Sequence, residues 1–269
     1  MDKKFWEIVL VVVLTGCSTV SSSSTTYRVA VVGDSISAGI NSELSIQRPT
    51  VGWVQMFTEQ AGERNLAHDF AFKSLFGADA QLLNLARPGS KFSDWLKQEL
   101  FQTIVTAQPD FLIVMLGGND LWAQIQDGVW SEAEQNRLEG LMNQFFERLG
   151  RDLPQVKGLV IGYYDLFDGQ SSLLPQNLSH LRGLSEWTIR ANNLLKKQSE
   201  QRGWSFLDIR EKFLGHGYAR HLGQQGLEPP YFRMPLSQFD IHPNTAGHQA
   251  IAEEVSQVLL RNPPRSKAP

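Results

Sequence analysis

The 269-residue chain has little of several features that would point to a function class. It contains a single cysteine, Cys17, so no disulfide can form within the chain and stability must come from packing alone. Its net charge of -3 gives no reason to expect nucleic acid as a partner. No apolar run reaches the roughly 20 residues that a membrane-spanning helix needs. With 42% hydrophobic residues, the chain can nevertheless build one sizeable core, and no second domain is visible.

Several common site motifs are also missing. Neither of the glycine-rich phosphate-binding patterns, the P-loop and the dinucleotide fingerprint, occurs. The Gly-x-Ser-x-Gly nucleophile elbow is absent because Ser37 stands where its second glycine would be. Five histidines show no metal-ligand spacing: His68, His180, His216, His221 and His248. We therefore predict neither a metal nor a cofactor.

The N-terminal segment differs in composition from the rest. Lys3 and Lys4 precede an apolar stretch at residues 8–14, and Leu14-Thr15-Gly16-Cys17 follows. This arrangement resembles the lipobox of bacterial lipoproteins, in which the cysteine is acylated and becomes the first mature residue. A plain secretory signal or a buried core thiol is the alternative interpretation.

The lipobox resemblance implies three parts of the chain. Residues 1–16 would be a lipoprotein signal peptide, and residues 17–26 a Ser/Thr-rich flexible tether that carries the acylated Cys17. Residues 27–269 would form the folded domain. Ser18 rather than aspartate follows the cysteine, which by resemblance to enterobacterial sorting favours the outer membrane. We expect a cell-envelope protein, anchored to the membrane through its lipid and facing the periplasm.

From Tyr27 onward, short apolar runs alternate with longer amphipathic segments, a pattern typical of βαβ units. It predicts strands at residues 28–32, 82–86, 111–116, 158–163 and 205–209, and helices at residues 52–60, 92–106, 132–149, 181–202 and 245–260. Five parallel strands with right-handed crossovers give an α/β fold, a three-layer α/β/α sandwich of flavodoxin-like type.

Polar residues follow the predicted strands and precede the last helix. Ser35 follows the first strand through a tight turn that we expect to lead into a helix, Asn119 follows the third strand, and Asp240 and His242 precede the final helix. In open α/β sheets, ligands bind at the carboxyl ends of the strands, so these groups can converge on one edge. Acyl transfer needs a hydroxyl, a base and donors for the developing oxyanion, and this set offers all three.

Four blocks of sequence carry a family resemblance: Gly33-Asp34-Ser35, Gly89 five residues after Asn84, Gly117-Gly118-Asn119-Asp120, and His242-Pro243-Asn244. They resemble the blocks of the SGNH hydrolases, also called the GDSL lipase/esterase family, over residues 28–260. The resemblance implies that Ser35 is the nucleophile and His242 the general base. It also implies an oxyanion hole formed by the backbone N–H groups of Ser35 and Gly89 and the side-chain amide of Asn119.

Elementary chemistry agrees with these roles. Glycine at position 89 would let its N–H approach a substrate closely, although an ordinary turn glycine fits as well. Asn119 could instead cap a helix or a turn. Histidine is the most common general base in enzymes that work near neutral pH, which suits the role given to His242.

One departure from the family pattern concerns the third catalytic residue. The acidic residue of the family usually lies three positions before the histidine, where this chain has Phe239, and Asp240 lies two before. We expect Asp240 to reach the imidazole Nδ1 if the backbone turns differently. Alternatively Asp240 caps the loop, and a backbone carbonyl or another carboxylate orients His242.

Three neighbouring side chains receive other interpretations. We interpret Asp34 as structural, and we expect Asp120 to hold the glycine turn by bonding backbone amides. Trp122 either lines an acyl pocket or simply packs in the core.

The sequence therefore predicts a serine carboxylic-ester hydrolase acting on a small-molecule or lipid ester through an acyl-enzyme on Ser35. Two alternatives remain: a carbohydrate O-deacetylase or acyltransferase of the cell envelope, and a non-catalytic envelope-binding lipoprotein.

Overall fold

The computed structural model of the protein describes residues 26–42, 52–59, 71–125, 131–220, 226–233 and 240–264. The predicted signal peptide, Cys17 and Phe239 lie outside these residues. Within them lie five strands: β1 (Arg28–Gly33), β2 (Gln81–Asn84), β3 (Phe111–Met115), β4 (Lys157–Ile161) and β5 (Ser205–Leu207).

The five strands form one sheet in the order β2-β1-β3-β4-β5, and every neighbouring pair is parallel. This confirms the predicted five-stranded parallel sheet and its flavodoxin-like strand order. The order reverses at β1, which pairs with β2 on one side and with β3 on the other. The carboxyl ends of β1 and β3 therefore flank the crevice where such sheets bind their ligands.

The composition of the strands follows from their place in the sheet. Every residue of β3 is buried, and so is every residue of β1 after Arg28. Strands covered on both faces by helices are almost continuously apolar, as these two are. The edge strand β2 instead exposes Gln81 and Asn84.

Helices cover the sheet on both faces. In chain order they are α1 (Trp53–Glu59), α2 (Ala71–Phe76), α3 (Phe92–Trp95), α4 (Gln98–Ala107), α5 (Gly118–Ile125), α6 (Glu132–Asp152), α7 (Leu184–Gln201), α8 (Ile209–Phe213) and α9 (Thr245–Arg261). Helices α1, α2 and α9 contact one another, whereas α3, α5, α6 and α7 form a separate chain of contacts. These two groups are the outer layers that right-handed crossovers produce around a sheet of this order. No helix in the described ranges has the length and apolar character needed to cross a membrane.

Some helix predictions were wrong in detail. The predicted helix at 92–106 is two helices, α3 and α4, separated at Leu96 and Lys97. The break leaves the Leu96 carbonyl without a partner in a continuous helix, and Arg148 of α6 satisfies it by donating a hydrogen bond at 2.7 Å. The predicted helix at 181–202 begins at Leu184, after a 3₁₀ segment at Gln176–Leu181. The short helices α2, α5 and α8 were not predicted.

His248 links three parts of the fold. Its Nδ1 accepts the backbone N–H of Trp53 in α1 at 3.2 Å, and its Nε2 donates to the Ile40 carbonyl at 2.9 Å. Burial lowers the pKa of His248 to about 4, so the imidazole is neutral near pH 7. This histidine of α9 therefore holds the turn that follows β1.

Candidate active site

The turn after β1 presents Ser35 at the end of a buried strand. The carboxylate Oδ1 of Asp34 accepts the N–H of Ile36 at 3.0 Å, and the Ser35 carbonyl accepts the N–H of Ile40 at 2.9 Å. Gly39 has a φ of 92°, a left-handed conformation that ends the turn and prevents a helix from continuing beyond it. The prediction of a helix here was wrong, since the described residues 34–42 form turns.

The structure brings Ser35, His242 and Asp240 into one line of hydrogen bonds. The Nε2 of His242 lies 2.9 Å from the Oγ of Ser35, and its Nδ1 lies 2.6 Å from Oδ1 of Asp240. The same Asp240 oxygen accepts the backbone N–H of His242 at 3.0 Å. An aspartate two positions before the histidine therefore reaches the imidazole, and no other carboxylate is needed to orient it.

Backbone and side-chain bonds hold the serine and histidine loops together. The N–H of Ser42 donates to the Pro243 carbonyl at 3.1 Å, and the amide of Asn41 donates to the Thr245 hydroxyl at 3.1 Å. On the other side, Asn244 caps α9 by accepting the N–H of Gly247 at 2.9 Å. These hydrogen bonds fix the distance between the two loops independently of the Ser35 and His242 side chains.

Gly89 occupies a tight turn at the same edge of the sheet. The N–H of Ser90 donates to the Arg87 carbonyl at 3.1 Å, and Gly89 has a φ of 76°. Proline at the second position and a positive φ at the third are typical of a type II turn, which favours glycine there. The turn is attached to β1, because the Gly33 carbonyl accepts both the Arg87 N–H and the Ser90 hydroxyl.

Asn119 lies in the first turn of α5 and lines the same cavity as Ser35. Its amide donates one hydrogen bond to the Ser90 carbonyl at 3.1 Å. Because a side-chain amide carries two N–H groups, a second donor remains for a ligand. Gly117 has a φ of 108°, and a Cβ there would collide with the Tyr163 hydroxyl, so the bend before Asn119 requires glycine.

Two buried carboxyl groups flank the serine and the asparagine. Burial raises the pKa of Asp34 to about 7, with a smaller contribution from Asp120. Burial likewise raises the pKa of Asp120 to about 6. The prediction for Asp120 was wrong in its partner: its Oδ2 accepts the N–H of Phe92 at the start of α3, at 2.9 Å, rather than holding the glycine turn.

A cavity of about 70 Å³ opens beside the serine. Its polar lining includes Ser35 and Asn119, and most of its other walls are apolar: Ile36, Met115, Leu116, Leu121, Trp122, Tyr163, Tyr164, Leu166, Leu184 and Ile241. Trp122 lines the cavity and also packs against the hydrophobic core, so both positions that the sequence left open for its side chain are occupied. The cavity lies between α5 and α7, at the carboxyl ends of β1 and β3.

Two tyrosines beside the histidine loop were missed by sequence reasoning. The hydroxyl of Tyr164 contacts the carbonyl of Ile241, and the hydroxyl of Tyr218 contacts the backbone of Asp240. Tyr164 directly follows the predicted strand 158–163, and this position at the carboxyl end of a strand could have marked it as a candidate site residue. Tyr218 lies in a long loop, and no local pattern marks it.

The described part of the chain contains no group of three or more His, Cys, Asp or Glu side chains placed to hold a metal ion.

Solved structures with this fold include several ester hydrolases. An extracellular lipase from Streptomyces rimosus superposes with a TM-score of 0.59 at 18% identity, covering 87% of this chain and 100% of that one. A lipase from a goat rumen metagenome gives a TM-score of 0.59 at 15% identity, covering 87% and 97%. An acetylxylan esterase from Geobacillus stearothermophilus gives 0.55 at 15% identity, covering 87% and 94%. At these identities the likeness shows the fold alone.

Comparison of sequences points to the same group. None of the curated protein sequences compared matches this chain. The model of one protein family, described as GDSL-like lipase/acylhydrolase, matches residues 31–250 and so covers all four sequence blocks. The chain thus belongs to the GDSL-like lipase/acylhydrolase family, whose members include ester hydrolases.

Proposed function

We propose that this protein is a serine carboxylic-ester hydrolase that works through an acyl-enzyme on Ser35. The single observation that carries the proposal is the continuous contact from Ser35 Oγ through the His242 imidazole to the Asp240 carboxylate. A hydroxyl, a base and a group that orients the base are the parts that nucleophilic catalysis needs.

The proposed reaction uses each of these groups in turn. As the Ser35 oxygen attacks the ester carbonyl carbon, His242 Nε2 takes the hydroxyl proton and Asp240 stabilises the imidazolium. The same proton then passes to the leaving alcohol, the carbon–oxygen ester bond breaks, and an acyl-enzyme remains. A water molecule, deprotonated by His242, attacks the acyl-enzyme and releases the carboxylic acid and free Ser35.

Donors for the oxyanion complete the mechanism. The Asn119 amide lines the cavity beside Ser35, and the backbone N–H groups of Ser35 and Gly89 lie on turns at the same sheet edge. We assign these three groups to the oxyanion hole, where fixed donors stabilise charge that develops only in the transition state.

Substitution of the nucleophile tests this function. Ser35→Ala should abolish hydrolysis of p-nitrophenyl esters and labelling by a fluorophosphonate probe. Ser37→Ala is the matched control, since Ser37 lies on the same turn, is fully buried and should leave both signals unchanged. Full hydrolysis by folded Ser35→Ala would contradict the mechanism, and a wild-type protein that neither hydrolyses nor takes the label would favour a non-catalytic binding role.

We infer a substrate class from the size and lining of the cavity. The cavity beside Ser35 is small, with a volume of about 70 Å³. Its apolar walls suit a short aliphatic acyl chain better than a polar sugar. We therefore favour esters of short aliphatic acids, such as butyrate and hexanoate, over acetylated carbohydrate.

A chain-length series checks this preference. Among p-nitrophenyl esters from acetate to laurate, kcat/KM should be highest for butyrate or hexanoate. Trp122→Ala, which enlarges the cavity, should move the maximum towards longer chains. A maximum at acetate, together with turnover of an acetylated sugar, would favour the carbohydrate deacetylase instead.

We also propose that Cys17 is acylated and anchors the protein to the bacterial cell envelope, in the outer membrane facing the periplasm. The support is the sequence Leu14-Thr15-Gly16-Cys17 after an apolar stretch. In cells supplied with labelled palmitate, the wild-type protein should become labelled and Cys17→Ser should not. After cell fractionation, the wild-type protein should be found with the membranes and Cys17→Ser should not. Labelling of Cys17→Ser would contradict the anchor.

A further inference from the structure

Two tyrosine hydroxyls bind the backbone of the loop that carries the catalytic histidine. The Tyr164 hydroxyl donates to the Ile241 carbonyl at 2.6 Å. The Tyr218 hydroxyl contacts both backbone groups of Asp240, accepting its N–H and donating to its carbonyl, each at 3.0 Å. Three backbone polar groups of the Asp240–Ile241 pair are thus satisfied by side chains from outside the loop.

Both tyrosines are held by a buried aromatic cluster. Tyr164 stacks on Phe213, with ring centroids 4.8 Å apart and planes 15° apart. Phe232 packs against Tyr164 and Tyr218, with centroids 5.4 Å apart in each case. Phe213 and Phe232 are both fully buried, so the rings that carry the hydroxyls have little freedom to move.

The hydroxyls are suited to act as donors. Burial raises the pKa of Tyr164 well above its usual value, and burial also raises the pKa of Tyr218. Both groups therefore keep their protons at neutral pH and can donate to the loop carbonyls.

We propose that Tyr164 and Tyr218 are positioning residues that allow an aspartate two places before the histidine to orient it. This inference rests on the proposed function. Asp240 Oδ1 accepts both the backbone N–H and the Nδ1–H of His242, at 3.0 and 2.6 Å. Such a tight local arrangement requires a particular rotation of the peptide units between the two residues, and the tyrosines fix those units from outside.

The two tyrosine hydroxyls position the Asp240 carboxylate against the imidazole and take no part in the reaction themselves. If the hydroxyls are removed, the Asp240–Ile241 peptide can rotate, and the carboxylate leaves the imidazole for part of the time. Because small misplacements of a catalytic group are costly, kcat should fall, whereas KM should change little because each substitution removes only one hydroxyl oxygen.

Removal of each hydroxyl tests the proposal in the full chain. Tyr218→Phe and Tyr164→Phe should each lower kcat for p-nitrophenyl butyrate about tenfold, with KM changed less than about twofold. Tyr231→Phe is the matched control, since its ring packs on Phe213 in the same cluster, 4.9 Å between centroids. Its hydrogen bond with the residues after His242 is made by its backbone carbonyl, which accepts the N–H of Asn244. This variant should keep the wild-type kcat.

A double-mutant cycle separates alignment from general structural support. If the tyrosines act through Asp240, then Tyr218→Phe should cost less than about twofold in an Asp240→Asn background. The rate of inactivation by a fluorophosphonate should follow kcat in every variant, because it reports the same activated serine. Thermal unfolding of each variant shows whether it is folded at the assay temperature.

Two outcomes would overturn the inference. One is a folded Tyr164→Phe/Tyr218→Phe double variant with wild-type kcat, and the other is an equal loss with and without the Asp240 carboxylate. Full activity of Ser35→Ala would instead refute the proposed function, and so the two failures are distinguishable.

Discussion

His242 and Ser35 are 207 positions apart in the chain, yet His242 Nε2 lies 2.9 Å from Ser35 Oγ. This contact does not depend on the two side chains alone. The backbone N–H of Ser42, beyond the serine turn, donates a hydrogen bond to the carbonyl of Pro243, the residue after the histidine. The pair is therefore preorganised by its loops, as efficient nucleophilic catalysis requires.

The Asn119 amide should contribute as a single oxyanion donor. We expect Asn119→Ala to lower kcat by about 10²–10³-fold while KM changes little, because the lost interaction strengthens only in the transition state. Steady-state kinetics with a short-chain aryl ester checks this. A loss below tenfold would argue against Asn119 as a donor.

The Asp240 carboxylate should matter for turnover and not only for the loop. Asp240→Asn removes the charge that stabilises the imidazolium and favours the wrong tautomer, so kcat should fall by at least about 10²-fold. Near-wild-type turnover by this variant would instead favour orientation of His242 by a backbone carbonyl.

A methyl group at position 117 should be poorly tolerated. The φ of 108° disfavours any side chain, and the new Cβ would also lie 2.7 Å from the Phe92 ring. Gly117→Ala should therefore lower the free energy of unfolding by about 3 kcal/mol or more. The control is Gly140→Ala in α6, where the Cβ meets open space, and it should stabilise the protein by about 0.5–1 kcal/mol. Equal effects of the two changes in a urea titration would refute the argument.

Burial of Asp34 should make stability depend on pH. Its pKa is about 7 in the folded protein against an ordinary 3.8, so the folded state holds a proton that the unfolded state has lost. The stabilisation from that proton is fully present below about pH 4 and is lost as pH rises towards 7. Asparagine at position 34 cannot ionise, so Asp34→Asn avoids this loss. The difference in free energy of unfolding between Asp34→Asn and wild type should therefore grow as pH rises from about 4 to 7, by up to about 4 kcal/mol.

Thermal unfolding from pH 4 to 8 measures this difference. Asp152→Asn serves as the control. The hydrogen bond from Arg151 lowers the pKa of the Asp152 carboxyl, so this variant should gain no stability over wild type as pH rises from 4 to 8. A difference between Asp34→Asn and wild type that stays constant across the range would contradict the raised pKa.

The sheet was the part of the fold easiest to predict. Strand β3 is apolar along its whole length and β1 is apolar after Arg28, and helices such as α9 have long amphipathic patterns with clear ends. The break at Leu96 was not predictable, because Arg148 from another helix satisfies the carbonyl there. Helices as short as α8, with five residues, carry too little periodicity to be recognised.

Some residues of the candidate site could likewise be predicted from the sequence, and others could not. Ser35, Asn119 and His242 could be singled out because each follows a strand or precedes a helix within a recognisable block. Tyr218 could not, since its hydroxyl acquires a role only through its hydrogen bonds with the backbone of Asp240, 22 positions away in the chain.

The amino-acid order by itself determined the strands, the long helices and the residue types at the edge of the sheet, because these depend on local periodicity and on turn chemistry. Only the tertiary structure decided that Asp240 reaches His242, that the space beside Trp122 is small and apolar, and that two tyrosines hold the histidine loop. These features depend on contacts between residues far apart in the chain, and packing of the whole domain sets their distances.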